Sequence, residues 1–238
     1  MKIEICATSV QSAIHAENAG ADRIELCSEL AVGGVTPSYG LLLQVLGAVK
    51  IPVYVLVRPR SGNFVYEEAE FQAMLQDIEL CKDLGCSGIV SGVLTENFEI
   101  DVVRTKELVQ ASYPMKFTFH RAFDLIPNPN EGAEILMDLG VNRILSSGQE
   151  SSAEKGIDLL WNLKKQTEGI LTILPGGGIN PSNAKLFKEK GFEEIHASAS
   201  AVWKENPAPK ISMNSAKFMD ETKVFVSDVE IIQQLKMT

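Results

Sequence analysis

The chain places a carboxylate and a thiol at one spacing twice, as Glu4-Ile5-Cys6 and as Glu25-Leu26-Cys27. Side chains alternate along an extended strand, so each Glu shares a face with its Cys, and Ile3, Ile5, Ile24 and Leu26 take the other face. Thiolate suits a soft ion such as Cu(I), which makes Cys6 and Cys27 candidate metal ligands. Carboxylates inside a fold need counter-ions, for which Arg58, Arg121 and His120 are the candidates. Glu25 is a candidate for moving a proton, and Glu4 for contacting substrate. In Phe119-His120-Arg121-Ala122-Phe123-Asp124 a carboxylate stands close enough to orient an imidazole for acid–base work near neutral pH. Arg58, Arg60 and Arg121 would hold an anionic substrate. Gly176-Gly177-Gly178, together with His196 and Ser198, offers bare backbone amides to the same kind of group. Each feature also has a plainer reading: an ion-pair network that only stabilises, thiols that only pack, and a turn that only needs positive φ.

The elements that must position these residues are legible in a repeat. Four times a Gly ends a helical pattern and an Ile follows four residues later in a strand-like run: Gly20 to Ile24, Gly85 to Ile89, Gly140 to Ile144 and Gly191 to Ile195. Glycine suits the left-handed position just past a helix. Further strand candidates, Lys2 to Ala7, Val53 to Arg58, Lys116 to His120 and Ile170 to Leu174, fall between the junctions. Helical patterns fill the gaps, for example Glu67 to Leu84 and Ala153 to Lys165. Eight βα units in 238 residues leave about 30 residues each, the size of a minimal unit. A single (β/α)8 barrel of the TIM type over 1–238 fits best, with 201–238 a C-terminal loop and helix, Val229 to Leu235, that closes it and helps cover the mouth or an interface. Every candidate residue above then sits at a strand end, where such barrels carry their sites.

Composition sets the outer limits. With 22 Lys+Arg against 31 Asp+Glu the net charge is −9, which argues against a nucleic-acid or membrane-surface partner. No apolar run reaches a membrane span, and the start of the chain lacks a signal-peptide pattern, so a cytoplasmic location with free thiols is expected. The turn after the first strand has no G-x-G-x-x-G, and no nucleotide cofactor is expected. No Lys stands at a strand C-terminus to form a Schiff base, and no H-x-H or H-E-x-x-H cluster is present for a hydrolytic zinc centre.

The strings Glu4-Ile-Cys6, Arg23-Ile-Glu-Leu-Cys27, Gly33-Gly-Val-Thr-Pro-Ser38, Arg58-Pro-Arg60, Phe119-His-Arg-Ala-Phe-Asp124, Ser147-Gly-Gln149 and Glu194-Ile-His196 resemble those of the CutC copper homeostasis family. The likeness runs from residue 3 to about residue 200, and Ile211-Ser-Met213 fits as well. It implies the same barrel, a cytoplasmic protein assembled as a homodimer or tetramer, and a link to copper tolerance or trafficking. It carries Cys6 and Cys27 over as Cu(I) ligands, and Glu4, Glu25, Arg58, Arg60, His120, Arg121, Asp124 and His196 as a polar mouth. Two readings follow. One is a Cu(I)-binding homeostasis protein; the other is an enzyme on a small anionic or phosphorylated substrate, with His120 or Glu25 moving a proton.

Overall fold

The computed structural model describes residues 1–212 and 220–238; Met213 of the Ile211-Ser-Met213 match lies outside them. Eight parallel strands form one sheet: β1 (Lys2–Ala7), β2 (Arg23–Leu26), β3 (Val53–Leu56), β4 (Gly88–Ser91), β5 (Lys116–Phe119), β6 (Arg143–Ser146), β7 (Thr172–Pro175) and β8 (Glu194–Ala197). Between them run α1 (Val10–Asn18), α2 (Tyr39–Ala48), α3 (Glu68–Asp83), α4 (Val102–Ser112), α5 (Pro129–Asp138), α6 (Ile157–Gln166) and α7 (Ala184–Glu189). The strand order is β7-β6-β5-β4-β3-β2-β1-β8, and a parallel bridge between Gly176 and His196 brings the two ends together at the mouth. This is the expected (β/α)8 barrel.

The repeated junction is one piece of backbone chemistry. Gly20, Gly85, Gly140 and Gly191 have φ of 85°, 76°, 78° and 80°. In each case the Gly amide bonds three residues back and the next amide five back, as in Gly20 to Glu17 O and Ala21 to Ala16 O, both at 2.9 Å. This Schellman pattern satisfies the last carbonyls of the helix and turns the chain into the next strand.

Alternation then sorts the strands. Ile3, Ile5, Ile24, Leu26, Val53 and Val55 pack outward against the helices, while Cys6, Cys27, Tyr54, Leu56 and Val90 pack together inside the barrel. Gly88 makes room for the Tyr54 ring, which a Cβ there would meet at 2.5 Å.

Three expectations need correction. β7 begins at Thr172 rather than Ile170, and α6 begins at Ile157 rather than Ala153. The second shift has a steric cause: Gly148 and Gly156 pack backbone on backbone, so 151–156 coil in a turn before the helix starts. The C-terminal segment is more than a loop and helix, since an antiparallel hairpin of β9 (Ser200–Glu205) and β10 (Lys223–Ser227) precedes α8 (Val229–Met237). α8 buries Ile232 and Leu235, and the chain just before it is tied to α1, with the Ser227 carbonyl 2.9 Å from His15 Nδ1. Among the described residues none from 201 onward lines the mouth.

The glycine packing gives a paired prediction. A Cβ at Gly156 would meet the Ser147 carbonyl oxygen at 2.0 Å, whereas one at Gly47, exposed in α2, meets nothing within 4 Å. Gly156→Ala should cost about 1–3 kcal/mol or more in urea unfolding, and Gly47→Ala should be neutral or stabilise by up to about 1 kcal/mol.

Candidate functional site

Parallel register sets Glu4 of β1 beside Arg23 of β2 on one side and His196 of β8 on the other. Glu4 accepts from Arg23 Nε and lies 2.7 Å from His196 Nδ1. Arg23 continues to Glu194 at 2.5 Å, which also accepts from Arg143 Nε at 3.0 Å. Arg143 donates to the Tyr54 hydroxyl at 2.9 Å, and the Tyr54 ring lies 5.1 and 5.2 Å from the Arg23 and Arg143 guanidinium carbons. The counter-ions of Glu4 are therefore Arg23 and His196, not Arg58, Arg121 or His120.

These partners decide the protonation states. Burial alone would raise the Glu4 pKa, but Arg23 and His196 outweigh it and hold the group at about 2. Burial pulls His196 down, and the Glu25 and Glu4 carboxylates more than reverse this, leaving it above the usual histidine value. An ionised carboxylate only accepts, so His196 carries its proton on Nδ1 toward Glu4 and leaves Nε2 for the mouth.

Glu25 is the unpaired member. Its Oε2 is buried with no hydrogen-bond partner among the described residues, and burial, reinforced by the Glu4 charge against the pull of His196 and Arg23, pushes it up to about 7. One ligand atom from each of Cys6, Glu25 and His196 can be chosen so that all lie within 4.8 Å of one another. Cys27 stands behind this cluster, fully buried and outside the cavity lining, with its Sγ 3.4 Å from that of Cys6. The Cys27 contact, burial and the nearby carboxylates raise the Cys6 thiol well above its ordinary value.

A cavity of about 480 Å³ opens above the cluster. Arg58, Phe64, His120, Arg121, Asp124, Gly177, Gly178 and Ser198 line it together with Cys6, Glu25 and His196. Arg58 is buried and anchors the loops, donating to the carbonyls of Val32, Gly34 and Gly62 at 2.9, 2.9 and 2.8 Å. Arg60 is not in the lining; Glu70 holds it at 2.5 Å and Val65 O accepts from it at 2.7 Å, so of the three expected mouth arginines Arg58 and Arg121 line the cavity.

His120 and Asp124 do not pair either. The Asp124 carboxylate accepts from Ser146 Oγ at 2.6 Å, Ser147 N at 3.0 Å and Arg121 Nε at 2.7 Å, because the 3-10 turn Arg121–Leu125 carries it toward β6. His120 Nδ1 accepts from the Ala122 amide at 3.3 Å, its ring lies 4.7 Å from that of Phe64, and its Nε2 is buried without a partner among the described residues. Burial and then Arg58 lower the pKa to about 3, so the ring is neutral at physiological pH and offers an N–H rather than exchanging a proton. Gly176 is also outside the lining. A Cβ there would meet Leu145 Cδ1 at 2.5 Å and His196 Cβ at 3.3 Å, which makes it the residue that lets β8 close the barrel.

Sequence reasoning passed over Arg23, Arg143 and Glu194. The same period of two that turns Glu25 inward also turns Arg23 inward, so that signal was present. The pairing of Arg143 with Glu194 joins β6 to β8 across the interior and has no local signature.

The fold and the mouth place the chain among (β/α)8 barrels whose functional residues gather at the C-terminal ends of the strands. The model of the CutC family matches residues 1–201. A CutC family protein of Proteus mirabilis is 42% identical over 241 residues, covering 99% of this chain and 95% of that protein. One from Enterobacter sp. is 48% identical over 205 residues, or 86% and 82% of the two chains. A solved structure described as a "Putative Copper Homeostasis Protein CutC", from Streptococcus agalactiae, superposes with a TM-score of 0.78 at 33% identity over 83% of this chain and 98% of that one. The chain belongs to the CutC family.

The Glu25 environment predicts a pH dependence. A carboxyl whose pKa is about 7 in the fold against 4.5 normally adds stability below pH 4.5 that is lost as pH rises through 7. Glu25→Gln removes this titration. The stability of the variant relative to the parent should therefore grow by a few kcal/mol between about pH 4.5 and pH 7 and then level off, measured by urea unfolding across that range.

Proposed function

We propose that this protein binds Cu(I) in the cytoplasm, at the mouth of the barrel, through Cys6 and His196 with Glu25 as a third ligand. The observation that carries the reading is the Glu4–His196 contact of 2.7 Å. A metal-binding imidazole characteristically gives its other N–H to a carboxylate, which fixes the ring and its tautomer. Cys6 supplies the soft sulfur that selects Cu(I) over harder ions. Cys27, the other expected ligand, stands 3.4 Å from Cys6. Linear two-thiolate coordination would need about 4.6 Å, taking a metal–sulfur bond of about 2.3 Å, so Cys27 serves as a reserve thiol that reaches the ion only after the pair opens. Exposed Val202, Trp203, Val224 and Phe225 on the C-terminal hairpin support assembly as a homo-oligomer.

One observation favours the enzymatic reading. Glu25 lines the cavity with its Oε2 buried and unpartnered among the described residues, and burial raises its pKa to about 7; such a carboxyl is matched to proton transfer at neutral pH, which would make Glu25 the acid–base group on a small anionic substrate.

Titration of reduced protein with Cu(I) against a competing chelator tests the copper reading. A single ion should bind, with affinity rising with pH because the Cys6 thiol must lose its proton. Cys6→Ser should abolish binding, Cys27→Ser should retain most of it, and Glu4→Gln should weaken it by about 10- to 100-fold. Unchanged affinity in Cys6→Ser would overturn the ligand assignment.

A further inference from the structure

The side of the mouth formed by Gly177 and Gly178 has chemistry that a copper site does not use. Gly177 and Gly178 follow β7 with φ of 106° and 77°. Their carbonyls are held from elsewhere: the Ala153 amide donates to Gly177 O at 2.9 Å, and the Asn180 and Asn183 side chains each donate to Gly178 O at 3.0 Å. Neither glycine amide has an acceptor among the described residues. Arg121 lies against this turn, since a Cβ on Gly177 would be 3.5 Å from its Cζ and from one terminal nitrogen, Nη1. Asp124 and Ser147 fix the guanidinium through Nε at 2.7 Å and Nη2 at 2.8 Å, leaving Nη1 without a hydrogen bond among the described residues. Asp124 is itself saturated by Ser146, Ser147 and Arg121, so its charge is committed to holding the arginine. Ser198, directly after β8, lines the same cavity.

Consecutive free amides beside a positioned guanidinium are an oxyanion cradle. One further buried group of the lining agrees with this: His120 Nε2 is a hydrogen-bond donor without a partner among the described residues. Donors left unmade inside a fold are costly, and a ligand that accepts from them removes the cost. We propose that the mouth is also a binding site for a small organic anion, whose carboxylate or phosphate end sits on Arg121, Gly177, Gly178 and Ser198. The cavity of about 480 Å³ takes a molecule rather than a lone ion, and Leu30, Val32, Leu56, Phe64, Leu145 and Ile179 give its body an apolar surround. The proposal stands apart from the Cu(I) reading, because none of the four anion contacts is a proposed copper ligand.

Inorganic phosphate and malonate, titrated separately into metal-free protein, test it through the backbone amide resonances of Gly177 and Gly178. The expected result is a saturable shift of both resonances with at least one probe, the tighter probe identifying the end group. Arg121→Ala should weaken binding at least tenfold, and Gly177→Ala, which forces a Cβ into a positive-φ site against Ser147 and Arg121, should do the same. Cys6→Ser, which loses Cu(I), should still give a saturable shift of both glycine resonances, which separates this claim from the copper site. Absence of a saturable shift with both probes, or parental affinity in Arg121→Ala, would overturn the proposal.

Discussion

The ionised Glu4 carboxylate is the interaction on which the interior of this barrel depends. It is 1% exposed, and a charge there survives only with close partners, since an unpaired buried carboxylate takes up a proton instead. Arg23 from the next strand and His196 from the last strand supply those partners. The chain of charges continues through Glu194 and Arg143 to β6. Four strands, β1, β2, β6 and β8, are thereby joined through ion pairs across a space that most barrels of this class fill with aliphatic side chains.

The same arrangement sets the chemistry of the mouth. With Glu4 and Arg23 matched, Glu25 one step higher on β2 has no cation to itself and stays mostly desolvated, which is why its pKa rises while that of Glu4 falls. His196 sits between the two carboxylates and is the hinge of the site: one ring nitrogen belongs to the barrel interior and the other to the cavity. The mouth therefore has two unlike parts. Cys6, Glu25 and His196 on β1, β2 and β8 make a soft and titratable part, and Arg121, Gly177 and Gly178 in the loops after β5 and β7 make a cationic, amide-rich one.

Much of this is legible in the residues and some of it is not. The Gly-to-Ile junction recurs because one helix-ending motif recurs, and eight strands follow from counting it. The inward faces of β1 and β2 follow from alternation alone. Alternation fails past the strand ends, which is why Arg60, two residues beyond Arg58, turns to Glu70 instead of the mouth. It is also silent about neighbours: Glu4 and His196 are 192 positions apart and meet only because the last strand pairs with the first. His120 and Asp124 stand four residues apart and do not meet, because the 3-10 turn between them redirects the carboxylate. Spacing reports faces within an element, and barrel closure decides which faces touch.

The most direct test of this account is the titration of His196 by nitrogen-15 NMR in the parent and in Glu4→Gln. The ring should be protonated on Nδ1 toward Glu4, with a midpoint above 6.5 in the parent that moves downward when the Glu4 charge is removed. A parental midpoint below 6.5, or the same midpoint in both proteins, would contradict it.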